Sequence, residues 1–226
     1  MIKDESKVLD LYKHFVATKK KDWEFGNSIL YKMCKENPKH NNSNIVVGKI
    51  WLIGRSYAAA IERRKDGRKT GDFYFDIVAP EMKKISKELD KKIEELSLSA
   101  SENFTNLLYT HKFLTKTFNK ISHLEKRSLA SKYLHFHCPE KVFIYDSRAR
   151  DGIHKFVERP DKSILNNLQP DKFDKEYGDF VCRVLELKTL LEENLQITLS
   201  PRDIDNFLLS DAIKNYHKEN KAKKKI

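Results

Sequence analysis

The chain has 226 residues, with 44 Lys and Arg against 33 Asp and Glu, a formal net charge of +11. That length suits one large domain or two small ones, and apolar residues recur throughout it, which excludes a disordered polymer. No run approaches the roughly 18 apolar residues of a membrane span, and Met1-Ile2-Lys3-Asp4-Glu5-Ser6-Lys7 lacks the apolar core of a secretory signal. The separated Cys34, Cys138 and Cys182 point to a reducing cytoplasm rather than a disulfide framework.

With 7 glycines and 6 prolines, turn signals are few and helical periodicity dominates. Val8, Leu9, Leu11, Tyr12 and Phe15 mark a first helix. The turn formers of 35–44 precede an apolar helix over 45–64, containing Trp51, Leu52, Tyr57, Ala58, Ala59, Ala60 and Ile61, whose alanines admit a close backbone neighbour. Arg55 and Glu62 on it are expected to pair. A basic loop follows, with Arg63, Arg64 and Lys65. Helices over 80–98 and 101–121 carry inward stripes, Met82, Ile85, Leu89, Ile93 and Leu96 on one, Phe104, Leu107, Leu108, His111, Leu114 and Phe118 on the other. A helix over 125–137 stops at Pro139, the apolar run Val142-Phe143-Ile144-Tyr145 leads to Asp146, and a helix over 147–157 follows. A long helix spans about 173–195. The last begins at Ser200 as cap, with Pro201 first and Asp203 completing a capping box. Residues 219–226 form a basic flexible tail. The expectation is an all-α fold of seven or eight helices in a single unit, 1–226, or two helical lobes with residues 99–160 in the second.

The segment 128–150 carries the most chemistry. On its helix Leu129, Ala130, Tyr133, Leu134 and His137 fall on one side. Ser128, Lys132 and His135 share a polar face that the pattern aims away from the core. A lone carboxylate, Asp146, follows a buried run and is succeeded by Arg148 and Arg150, an arrangement suited to a phosphate-linked substrate. The bland alternatives are a helix cap at Asp146 and a solvated Lys132. His135, His137 and Cys138 are metal-ligating types, but residues two apart on a helix diverge by about 200°. No ligand-like pair accompanies them, so no metal or cofactor is expected.

This order of a small residue, alanine, helix, proline, apolar run, Asp and helix resembles the hairpin and catalytic segment of the helix-hairpin-helix DNA glycosylases, of the 8-oxoguanine glycosylase and endonuclease III type. The resemblance covers about thirty residues, with Ala130 and Asp146 matching the family's spacing of about sixteen. It implies a bipartite helical fold with a hairpin-like segment near residues 115–137, DNA as partner, and a base flipped into a cleft between lobes. Asp146 would stabilise positive charge on the deoxyribose as the N-glycosidic bond breaks. Bifunctional members place a nucleophilic lysine two positions before the alanine; here that position is Ser128. Lys132, one turn further on, or Lys126 would have to supply an amine from a shifted position. The family's glycine-rich turn would lie near 121–126, where no glycine stands, so phosphate contacts would fall to Lys126, Arg127, Ser128, Arg148 and Arg150, with Arg63, Arg64 and Lys65 as non-specific contacts. Two other readings stay open: a nucleic-acid-binding helical module without catalysis, and a helical effector or adaptor of a bacterial defence or stress system.

Overall fold

A computed structural model describes residues 2–18, 24–63, 71–100 and 104–216. The fold is all-α: among the described residues there is no strand, only an isolated antiparallel bridge between Ile2 and Val157. The helices, in order, are α1 (Glu5–Thr18), α2 (Glu24–Glu36), α3 (Ser43–Ser56), a π-helical turn (Tyr74–Val78), α4 (Ala79–Leu98), α5 (Phe104–Ser122), α6 (Arg127–His137), α7 (Ser147–Phe156), α8 (Ser163–Asn166), α9 (Lys175–Leu195) and α10 (Pro201–Leu209). These eleven elements exceed the seven or eight expected. The additions are α2, the π-helical turn and α8. No helix among the described residues is long and apolar enough to cross a membrane.

The chain divides into two compact units, each assembled from separate stretches. The first comprises Met1–Asp22, Phe143–Asn167 and Glu176–Ile226; the second comprises Trp23–Val142 and Leu168–Lys175. Residues 99–160 are therefore shared between them, with the change at Val142 and Phe143. Arg64, Lys65 and the tail 219–226 lie outside the described residues.

In the first unit, Phe207 of α10 collects the rings of Tyr12 and Phe15 from α1 and Phe156 from α7, at centroid distances of 5.1, 5.7 and 6.4 Å. The inner face of α1, Val8, Tyr12 and Phe15, follows helical spacing. At α10 the capping box forms: Ser200 Oγ accepts from Asp203 N, and the Asp203 carboxylate accepts from Ser200 N. Buried Arg183 of α9 donates to the Val157 and Glu158 carbonyls beyond α7 and pairs with Asp179 at 2.8 Å. Those donors satisfy carbonyls left over at a helix C-terminus.

The second unit is built on α3, α4, α5 and α6. Asn42 caps α3 by accepting from Asn44 N and Ile45 N. The apolar sequence to 64 suggests one long helix, but α3 ends at Ser56. Ala58 takes a left-handed φ of 52°, and Ala59 and Ala60 fold back so that Ala60 Cα lies 3.2 Å from where a Cβ on Gly54 would stand. Glycine at position 54 permits that close approach. Tertiary contacts override helix propensity here: the carbonyls of Tyr57, Ala60 and Arg63 accept from lysine side chains of the second unit.

Candidate active site and nucleic-acid interface

In the second unit α5 and α6 form a helical hairpin across residues 123–126. The turn has no glycine, and His123 takes the left-handed conformation instead, at φ 55°. Its N–H donates to Asn119 O at 2.7 Å, closing the C-terminus of α5. Ser122 Oγ adds a bond to Phe118 O at 2.8 Å.

The expected outward polar face of α6 is inside the protein. Lys132 is 2 % exposed and His135 fully buried. Lys132 Nζ donates to Ser128 Oγ at 2.9 Å and to Tyr57 O at 3.2 Å, and stands 5.5 Å from the centre of the Tyr57 ring. Lys126 Nζ donates to Ala60 O at 2.9 Å and Arg63 O at 2.6 Å, and burial lowers its pKa. The two lysines thus hold the 57–63 connection after α3, supplying cations where its last carbonyls need donors. Arg127 Nε donates to both carboxylate oxygens of buried Asp174 at 2.8 Å, and its carbonyl accepts from His111 Nε2 at 3.1 Å. Burial pushes the His111 pKa down to about 4. Lys126, Arg127, Ser128, Lys132 and Arg63 are therefore brought together in this unit.

Asp146, Arg148 and Arg150 belong to the first unit. Extended backbone at Asp146 (φ −137°, ψ 145°) starts α7, and its side chain accepts from Arg148 N at 2.9 Å. The helix cap weighed from sequence is present, on a half-buried residue. Arg148 is exposed. Arg150 is engaged internally: its guanidinium lies 2.9 Å from Glu176 Oε1, 2.8 Å from Asp151 Oδ1 and 3.4 Å from the Tyr145 hydroxyl. Tyr145 OH also donates to Glu176, and burial, then that bond, raises the Tyr145 pKa to about 12. A cavity of about 420 Å³ in this unit is lined by Ile2, Asp161, Ile164, Cys182, Leu185 and Glu186, among others. Asp146, Arg148 and Arg150 do not border it.

Sequence reasoning missed a polar cluster buried in the second unit. Lys49 of α3, fully buried, donates to Asn37 O and lies 3.3 Å from His137 Nε2. His40 Nδ1–H donates to Asp90 of α4 at 2.6 Å, and its ring lies 5.1 Å from His137 and 5.7 Å from Tyr133. Burial lowers the pKa of Lys49, His40 and His137, and raises that of Tyr133. Only His137 carried a hint, as a polar residue on the apolar side of α6. His135 is structural: Nδ1–H donates to Val142 O at 2.8 Å, so Nε2 accepts from Tyr31 OH at 2.7 Å. Other partners missed from sequence, Asp174 and Glu176, lie in polar stretches without periodic signal, whereas the expected pair of Arg55 with Glu62 is formed. No family model, curated protein or solved structure matches this chain.

Proposed function

We propose that the protein binds DNA and excises a modified base in the manner of a DNA glycosylase. One observation supports this most: a helix, a four-residue turn, a second helix bearing Ala130, an extended apolar run, and Asp146 at the start of a further helix occur in the order the resemblance requires. Capping is compatible with the catalytic role, because the Arg148 N–H fixes the orientation of the carboxylate before substrate arrives.

In this reading the C1′–N bond of the target nucleotide breaks and the base departs with the bonding pair. Asp146 stabilises the positive charge left on the sugar. Water adds hydroxide to C1′ while its proton passes to the departing base, leaving an abasic site. The surroundings of Lys132 favour water over an amine nucleophile: a Schiff base would require Nζ to leave Tyr57 O and Ser128 Oγ. The test is base release from single- and double-stranded oligonucleotides carrying oxidised, deaminated or alkylated bases, with borohydride trapping as a separate probe of Lys132. Base release without a trapped adduct is the expected result. A second reading, DNA binding without catalysis, is favoured by serine at position 128 and by the structural bonding of Lys132; salt-sensitive binding with no product selects it.

A further inference from the structure

We propose that His40 and His137 form a proton-operated latch, closed while both rings are neutral, that holds the connection between α2 and α3 against α4 and α6. The connection, residues 37–42, is not helical, and side chains of three helices in the same unit hold it. Lys49 of α3 donates to Asn37 O. Asp90 of α4 accepts from the His40 backbone N–H at 3.1 Å and from its ring Nδ1–H at 2.6 Å. His137 of α6 closes the far side, its Nε2 3.3 Å from Lys49 Nζ and its ring 5.1 Å from that of His40.

Neither ring is placed to take a second proton. With Lys49 as donor, His137 Nε2 needs its lone pair, and a proton there would leave fully buried Lys49 facing a cation. His40 already commits Nδ1–H to Asp90, so a further proton goes to Nε2, which is buried with no hydrogen-bond partner. Burial, with Lys49 and His40 adding to it, holds the His137 pKa well below the ordinary 6.5. Burial also lowers that of His40, with Lys49 and Lys39 on its side and Asp90 opposing. Of the other groups facing the pair, Cys34 of α2 and Tyr133 of α6 are kept protonated by burial, and Lys39 pairs with Glu94 of α4 at 3.9 Å. Segments with few backbone bonds of their own open at lower cost than the whole fold. Once the connection swings out, water reaches both rings and each takes a solvent proton near its ordinary pKa. Opening thus takes up protons, and it grows as pH falls below 6.5, by about tenfold per histidine at pH 5.5. The latch does not depend on the chemistry at Asp146.

The test is amide hydrogen exchange of the full chain by nuclear magnetic resonance between pH 7.5 and 5.5, each rate divided by that of an unstructured peptide at the same pH. The reporters are the backbone N–H groups of His40, bonded to Asp90, and of Val46, bonded to Asn42 O. They should exchange faster than the slowest amides of α5 at every pH, with an opening constant about 10- to 100-fold larger at the acid end. His137→Gln keeps an acceptor for Lys49 without a titrating ring, and His40→Asn keeps a donor to Asp90. Each should lower the acid response, and the double variant, its fold checked by circular dichroism, should abolish it. An acid response that survives in the folded double variant overturns the latch. So does wild type without one, a His40 N–H that exchanges only with the slowest amides of α5, or imidazole signals of His40 and His137 that titrate near 6.5 in the folded chain. These last three results need no variant to fold.

Discussion

Residues 123–142 and 146–148 lie close in sequence and carry their charges in different ways. In the first stretch Lys126, Arg127 and Lys132 end on carbonyls, a hydroxyl and a buried carboxylate, so their positive charge is used to hold the second unit together. In the second stretch Asp146 is half-buried with a capping bond, and Arg148 next to it is exposed. A charged side chain bonded on several sides inside a protein is a scaffold; Asp146 instead stands at a partly exposed helix start beside an exposed cation. The net charge of +11 therefore overstates what a polyanion would meet, because several of these cations are spent internally.

The sharpest way to break the contrast is at the buried cluster that backs the first stretch. Lys49→Ala leaves the Asn37 carbonyl and His137 without their donor and opens a cavity, and should cost about 3–5 kcal/mol in denaturant unfolding. Acid should act next. Burial, with Arg127 and Lys112 adding to it and Asp174 opposing, pushes the folded pKa of His111 below the ordinary 6.5 to about 4. The unfolded chain then binds the proton first, and stability present at pH 7 is lost progressively from pH 6.5 down to about 4. That loss is about 3 kcal/mol from His111 alone; His40 and His137, also lowered by burial, add in the same direction. Thermal melts from pH 8 to 4 check the sign, and a flat profile contradicts it.

Lys132→Met keeps the volume but removes a donor from Tyr57 O and Ser128 Oγ. It should destabilise by about 1–3 kcal/mol, whereas a lysine kept only for chemistry could be exchanged without loss of stability. The smallest effect lies in the hairpin turn: His123→Gly relieves a left-handed φ of 55° and should stabilise by about 0.5–1 kcal/mol, measured by the shift of the unfolding midpoint.

Much of the helical order was legible because the inner faces repeat cleanly, as in Met82, Leu89, Ile93 and Leu96 of α4, and because Ser200-Pro201 and Asp203 spell out a helix start. The helix α2 was not, since Phe25 and Ile29 point outward and only Leu30 and Cys34 among its side chains are fully inside. Nor was the end of α3 visible, because lysines about 65–75 residues away decide it. Of the candidate site, the cap at Asp146 could be read locally. The burial of Lys132 and the internal engagement of Arg127 and Arg150 could not, since their partners Tyr57, Asp174 and Glu176 are distant in sequence. Polar periodicity on α6 was mistaken for a solvent face when neighbouring helices supply the polar groups it meets.

The central claim is that Asp146 does chemistry beyond capping α7. Asn caps helices as well as Asp does, so Asp146→Asn removes the charge and keeps the fold. Base release by wild type and by this variant, on one panel of lesion-bearing oligonucleotides and with matched melting temperatures, measures the claim directly. The account predicts an abasic product from wild type and a rate at least about 100-fold lower from the Asn variant. Equal rates in the two proteins, or no product from either, would contradict it.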